Sequence, residues 1–105
     1  MARVIISGSA DADFATILID LSQRAGPDIA AKFTIRFERL YGRLAHFPGI
    51  GSPRPGLGRN VRIIPVVPYV AIYRYADGDD IVSVVRIIHG RRNITRKLLR
   101  SASFS

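Results

Sequence analysis

The segment His89-Gly90-Arg91-Arg92 has the residue types best suited to chemistry in this sequence of 105 residues. It follows a run rich in β-branched residues, which predicts that it lies at the end of a strand. Guanidinium groups bind carboxylates and phosphates through paired N–H donors, and an imidazole can transfer a proton near neutral pH. The segment is therefore a cationic surface for an acidic partner, part of a phosphodiester-cleaving site, or a turn whose arginines face water.

Cleavage of RNA would require a base for the 2′-hydroxyl proton, a cation for the phosphorane and an acid for the leaving oxygen. Arginines could supply the cation, but the sole glutamate lies on a predicted helix and no tyrosine follows Tyr75. His89 would have to serve alone as base or acid. We therefore predict no catalytic residue. If the chain is a ribonuclease, its site is expected at Arg86, His89, Arg91 and Arg92.

The distribution of charge indicates which kind of partner the chain attracts. The net charge is +8, and residues 54–105 hold ten basic and three acidic residues, against six and five in residues 1–53. Fourteen of the sixteen basic residues are arginine. This excess predicts an acidic protein or nucleic acid as the partner, although a genomic bias towards arginine would also explain part of it.

We predict no metal site, no cofactor and no membrane segment. The chain has no cysteine, which excludes disulfides and thiolate zinc sites. Asp77, Asp79 and Asp80 surround Gly78 at a predicted hairpin turn, and the rest of a calcium loop is missing. The apolar run after Arg3 is too short for a signal peptide, so a cytoplasmic location is expected.

The periodicity of apolar residues predicts a single α+β domain over residues 1–100 and a frayed tail over residues 101–105. An N-terminal strand precedes a helical hairpin, and a loop rich in proline and glycine leads into a three-stranded antiparallel meander. We expect one mainly antiparallel sheet packed against the helices, with the last strand central because it is apolar on both faces. The predicted elements are a strand at Arg3–Ser7, a helix that ends at Gly26, a helix at about Pro27–Phe47, a loop at Pro48–Gly58, strands at about Asn60–Pro65, Tyr69–Tyr75 and Ile81–His89, and a short helix or strand at Ile94–Leu99.

Two further patterns have a structural explanation and a functional alternative. Tyr69, Tyr73 and Tyr75 share one face of the predicted third strand, and we interpret them as core or cross-strand packing rather than a platform for stacking RNA bases. Basic residues spaced 4, 3, 4 along the second helix are typical of a solvated helix face, and a border of a protein-partner or nucleic-acid surface is the alternative. This stripe consists of Lys32, Arg36, Arg39 and Arg43.

From about residue 3 to residue 94, the chain resembles the ParE branch of the RelE/ParE toxin superfamily. The resemblance rests on the order and spacing of several segments, since each alone is only weakly diagnostic. The segments are Leu44-Ala45-His46-Phe47-Pro48 followed by Gly51, Val61-Arg62, Pro68-Tyr69-Val70-Ala71-Ile72-Tyr73-Arg74, and Val85-Arg86-Ile87-Ile88-His89-Gly90-Arg91-Arg92-Asn93. We call the segment His89-Gly90-Arg91-Arg92 the cationic tip. Family members usually have an acidic residue at the position of Asn93, so the cationic tip is expected to carry more positive charge in this chain.

The resemblance implies a toxin of a type II toxin-antitoxin system, of the kind linked to plasmid stabilisation, that binds DNA gyrase and traps it on cleaved DNA. It also implies neutralisation by a ParD-like antitoxin whose C-terminal segment folds as it wraps the toxin, giving a hetero-oligomer. The alternatives are a RelE-like ribosome-dependent mRNA endoribonuclease and an inactive basic module that retains only antitoxin binding. Direct binding of nucleic acid is a further alternative.

The same resemblance leads us to expect target binding at the cationic tip and antitoxin binding at a second set of residues. The expected target-binding residues are Arg86, His89, Arg91 and Arg92. The expected antitoxin-binding residues are Phe33, Arg36, Phe37, Tyr73, Arg74, Ile94 and Leu98.

Overall fold

The protein is described by a computed structural model that covers residues 1–76 and 78–100. The strands are β1 (Arg3–Ile6), β2 (Ser52–Pro53), β3 (Val61–Val66), β4 (Tyr69–Ala76) and β5 (Ile81–His89), and the helices are α1 (Gly8–Ala25), α2 (Pro27–His46) and α3 (Arg96–Arg100), with a 3₁₀ turn at Pro55–Leu57. The five strands form one sheet in the order β1-β5-β4-β3-β2. The hairpin of α1 and α2 covers one face, and the 3₁₀ turn and α3 pack on the other.

Strand pairing confirms the predicted α+β fold with a mainly antiparallel sheet, and it adds one parallel pair. β3, β4 and β5 form the antiparallel meander, while β1 runs parallel to β5, with Arg3 opposite Ile81. β5 is an interior strand, as predicted, although the middle position belongs to β4. The sequence did not predict β2, which pairs with β3 through two residues inside the proline- and glycine-rich loop.

A capping residue starts the helical hairpin, and helix-breaking residues form its turn. The Oγ of Ser7 accepts a hydrogen bond from the N–H of Ala10 at 3.0 Å and donates one to the carbonyl of Val85 at 2.9 Å. Ser7 therefore caps α1 and ties its start to β5. Gly26 separates the helices with a φ of 93°, a value that favours glycine, and Pro27 occupies the first turn of α2.

The larger core lies between the sheet and the helical hairpin. Phe37 of α2 is 1% exposed and Tyr73 of β4 is 0% exposed. Tyr69 packs edge-on against Phe33 with 5.6 Å between ring centroids, and Tyr75 packs against the same core. The predicted packing role of the tyrosines on β4 is therefore confirmed.

Tyr73 also orders the loop that follows α2. Its hydroxyl donates to the carbonyl of Pro48 at 2.8 Å and accepts from the N–H of Gly51 at 2.8 Å. Arg62 donates to the carbonyl of Gly51 at 2.7 Å. A Cβ atom on Gly51 would lie 2.6 Å from the Tyr73 Oη, so this close approach requires glycine. Polar contacts to β3 and β4 thus hold a loop that has little regular structure.

A second apolar cluster covers the sheet face opposite α1 and α2. It includes Leu57 of the 3₁₀ turn, Ile72 of β4 and Leu99 of α3. The sequence left Ile94–Leu99 open between helix and strand, and the structure has a helix that begins at Arg96. Burial of Leu99 against the sheet accounts for the position of this short helix.

Two predicted features lie outside the described residues, namely the frayed tail at 101–105 and Asp77 of the hairpin turn. In the part of the chain that is described, no helix combines the length and the apolar character needed to span a bilayer.

Candidate functional site

Arg86, which was expected to bind the target, occupies a mostly buried position. Its Nε donates to the Oδ2 of Asp13 at 2.7 Å, and its Nη2 donates to the Oδ1 at 3.0 Å. Its Nη1 donates to the carbonyl of Leu98 at 3.2 Å. The side chains of Arg86 and Asp13 are only 13% and 18% exposed. Arg86 therefore joins β5 to α1 and α3 and is not part of an exposed cationic tip.

The carboxylate of Asp13 also accepts a hydrogen bond from a backbone N–H at the open edge of β5. β1 ends opposite Val84, so the following residues of β5 have no strand on that side. There the N–H of Ile87 donates to the Oδ2 of Asp13 at 3.0 Å. The hydrogen bonds to Asp13 raise the pKa of Arg86, and the charge of Asp13 adds to the rise while burial opposes it. Arg86 is thus a permanently charged structural residue.

His89 and the two arginines that follow it form a tight, exposed turn. The N–H of Arg91 donates to the Nδ1 of His89 at 3.1 Å, and the N–H of Arg92 donates to the His89 carbonyl at 2.9 Å. The imidazole packs edge-on against Tyr69 with 5.8 Å between ring centroids. These contacts orient the backbone of the turn and leave the side chains of Arg91 and Arg92 exposed to solvent.

A shallow pocket beside this turn has a strongly cationic lining. Its volume is about 300 Å³, and its lining residues are Arg86, Arg92, Asn93, Thr95, Lys97 and Leu98. The lining can attract a phosphate or a carboxylate. It presents no imidazole, carboxylate or phenol that could exchange a proton with a ribose, so the arrangement favours anion binding over RNA cleavage.

The residues expected to bind an antitoxin do not form one surface. Phe37 and Tyr73, which were expected to bind the antitoxin, are core residues and present no surface to a partner in this conformation. The reason is that the apolar face of α2 packs on β4 and leaves little of either side chain uncovered. Leu98 is also buried, at 9% exposure, and Ile94 is partly buried beside it on the opposite side of the sheet.

Phe33 and Arg36 do form an accessible surface on α2. The guanidinium of Arg36 lies 4.8 Å from the centroid of the Phe33 ring and donates to the carbonyl of Val67 at 3.3 Å. Val67, at the turn between β3 and β4, is 68% exposed. The basic stripe that includes Arg36 is exposed, as predicted. This combination of an apolar patch and a held cation can receive an acidic, partly apolar partner.

Arg74 belongs to a different surface, together with two residues that the sequence analysis missed. Arg74, Arg59 and Arg96 line one pocket of about 480 Å³ on the sheet face opposite α1 and α2. Arg59 lies in a turn and Arg96 begins α3, so no shared periodicity links them to a strand residue. Only the regional excess of arginine in the C-terminal half hinted at such a cluster.

Comparisons with known proteins identify the family and the fold of the chain. The sequence model of a family described as "ParE toxin of type II toxin-antitoxin system, parDE" matches residues 4–94. Toxin ParE3 of Caulobacter vibrioides is 32% identical to this chain over 98 residues, which cover 93% of this chain and 96% of the relative.

Two solved structures have the same fold. One is the chromosomal ParDE toxin-antitoxin system of P. aeruginosa, with a TM-score of 0.68, 22% identity, and coverage of 85% of this chain and 96% of that chain. The other is the RelBE2 toxin-antitoxin complex of Mycobacterium tuberculosis, with a TM-score of 0.58, 23% identity, and coverage of 84% and 96%. The resemblance and the RelE/ParE-like fold expected from the sequence are confirmed. The chain belongs to the ParE toxin family of type II toxin-antitoxin systems.

Proposed function

We propose that this ParE-family toxin inhibits DNA gyrase by binding it, and that a cognate ParD-like antitoxin neutralises it by forming a hetero-oligomer. Membership of the ParE family supports the toxin role. In this proposal the toxin acts in the bacterial cytoplasm as a single domain over residues 1–100. Gyrase held on cleaved DNA then stops replication, and no catalytic residue of the toxin is involved.

The observation that carries a binding role is the chemistry of the exposed turn after β5. Arg91 and Arg92 are exposed, and neither belongs to an ion pair with another described residue. The neighbouring pocket adds Lys97 but no group suited to proton transfer. Exposed guanidinium groups can hold an acidic surface, whereas RNA cleavage also needs a base and an acid. These features favour binding over catalysis.

A second surface supports an antitoxin partner. The two solved structures compared above are described as a ParDE toxin-antitoxin system and a RelBE2 toxin-antitoxin complex. On this chain, Phe33, Arg36 and Val67 form an accessible patch that is apolar and cationic at once. The net charge of +8 would steer an acidic segment towards such a patch, and burial of Val67 would add affinity.

The test of target binding is a gyrase supercoiling assay with the double variant Arg91→Ala/Arg92→Ala. The matched control is Arg39→Ala/Arg43→Ala, which also removes two positive charges, in this case from the exposed face of α2. If the tip binds gyrase, the tip variant should need at least about tenfold more protein to inhibit, because each interface arginine contributes on the order of 1 kcal/mol or more. Full potency of the tip variant would remove the tip from the mechanism.

Primer extension on translated messages separates gyrase inhibition from the ribonuclease alternative. Loss of supercoiling with intact messages is the expected result. Cleavage of messages at codons with normal supercoiling would overturn the proposal. If the chain binds an antitoxin but shows neither activity, it is an inactive binding module.

A further inference from the structure

Three arginines from three separate elements meet in the pocket on the sheet face opposite α1 and α2. Arg59 precedes β3, Arg74 lies on β4 and Arg96 begins α3. Buried Leu57 and Leu99 complete an apolar part of the lining. The pocket volume of about 480 Å³ falls within the range of about 300–1,000 Å³ that is common for small-molecule sites. The pocket therefore has the size and the mixed chemistry of a ligand site.

The backbone holds all three arginines on anchored elements. Gly58 and Asn60, on either side of Arg59, have φ values of 137° and 62°, and the Asn60 carbonyl accepts a hydrogen bond from β4 at 3.0 Å. Arg74 lies within the β3–β4 ladder. α3 is tied to β5 because the Leu98 carbonyl accepts a hydrogen bond from the guanidinium of the internal ion pair. The fold thus fixes the backbone positions from which the three arginines extend.

Among the described residues, no carboxylate lines this pocket or forms an ion pair with its arginines. Within residues 1–76 and 78–100 the ion pairs are Arg24–Asp20 and Arg86–Asp13, and neither involves a pocket arginine. Asp79 lines an adjoining groove together with Arg59 and Arg74, but it forms no ion pair with either of them. Like charges held together raise the electrostatic energy, most strongly where water is partly excluded. Since Arg74 is partly buried, an anion that enters the pocket would relieve this repulsion.

We propose that Arg59, Arg74 and Arg96 bind the phosphate chain of a nucleoside polyphosphate. One carboxylate offers a single charge and two oxygens to three guanidinium groups. A triphosphate carries at least about three negative charges, and its oxygens match the paired N–H donors of arginine. This site is separate from the turn after β5, so the inference stands or falls independently of gyrase inhibition.

The test is isothermal titration of the full-length protein with ATP and with inorganic triphosphate. The pocket variants are Arg59→Gln, Arg74→Gln and Arg96→Gln, and Arg39→Gln on the exposed face of α2 is the matched control. We expect saturable one-to-one binding of both probes. Each pocket variant should weaken binding by about tenfold or more, and the control by less than about twofold, because charge-assisted hydrogen bonds are lost only in the pocket. Arg59 and Arg96 are exposed, so their variants keep the test valid if Arg74→Gln is unstable.

Two further titrations distinguish a nucleoside polyphosphate from a single-stranded nucleic acid and from an acidic peptide. A single-stranded DNA hexanucleotide without a terminal phosphate and a hexaglutamate peptide should both bind at least about tenfold more weakly than ATP. The proposal is overturned if wild-type protein shows no saturable binding of ATP or triphosphate. It is also overturned if Arg39→Gln weakens binding as much as the pocket variants do. Tighter binding of the hexanucleotide or hexaglutamate than of ATP, lost in the pocket variants, would assign the pocket to that ligand instead.

Discussion

Replacing Asp13 by alanine should destabilise the protein far more than replacing Asp20 by alanine. Both aspartates lie on α1, and both contact an arginine at 2.7 Å. The two side chains of the Asp13–Arg86 pair are 18% and 13% exposed, whereas those of the Asp20–Arg24 pair are 48% and 70% exposed. Because both substitutions change the same residue type within one helix, helix propensity contributes about equally, and burial is the main difference.

The expected loss of stability follows from the hydrogen bonds that each carboxylate accepts. Asp13 accepts two hydrogen bonds from Arg86 and one from the N–H of Ile87. Its removal leaves a mostly buried guanidinium and an edge N–H without that acceptor, a loss of about 3 kcal/mol. Asp20 holds only an exposed pair, so its removal should cost about 0.5 kcal/mol or less.

Urea denaturation followed by circular dichroism measures both free energies of unfolding. Asp13→Asn should give an intermediate loss, because its amide oxygen can still accept a hydrogen bond from the Ile87 N–H. The double variant Asp13→Ala/Arg86→Met should lose less than the sum of the single variants, since both members of the buried charge pair are then removed together. Equal losses for Asp13→Ala and Asp20→Ala would refute the conclusion that the internal pair organises this part of the fold.

Two other predictions concern a loop and a buried phenol. Gly51→Ala should destabilise the protein by about 1–3 kcal/mol in the same assay, because its Cβ would lie 2.6 Å from the Tyr73 Oη, whereas Gly42→Ala should stabilise α2 by up to about 1 kcal/mol. Burial, with a smaller contribution from the charge of Asp11, raises the pKa of Tyr41 to about 12 from its ordinary value of 10.0. The folded state therefore holds this proton more tightly than the unfolded state, so stability should fall as pH rises from 10 towards 12. Tyr41→Phe should flatten that fall, and an unchanged slope would contradict the assignment.

Local patterns in the sequence were sufficient to predict most of the regular structure. The apolar spacing of α2 and the break at Gly26-Pro27 predicted the helical hairpin, and the β-branched runs predicted β3, β4 and β5. These patterns act over a few residues, where backbone sterics and periodicity dominate. β2 escaped detection because its two residues lie in a loop that is organised by contacts with β3 and Tyr73.

The candidate site was predictable only in part. The turn after β5 is exposed where the sequence placed it, and the basic stripe on α2 is solvated. The position of Arg86 differed because its partner is Asp13, which lies 73 residues away in the chain. The burial of Phe37 differed from its expected antitoxin-binding role, because its place on an apolar helix face does not reveal what covers that face.

The sequence by itself determined the fold class, the order of the elements and the resemblance to the ParE family, because these depend on short-range periodicity and on motifs read in order. Only the tertiary structure decided which arginines are available to a ligand. Packing brings Asp13 to Arg86 and engages that cation internally, while it gathers Arg59, Arg74 and Arg96 around a shared pocket. The physical reason is that the energy of a charge depends on the distance to other charges and on burial, which the folded chain alone defines.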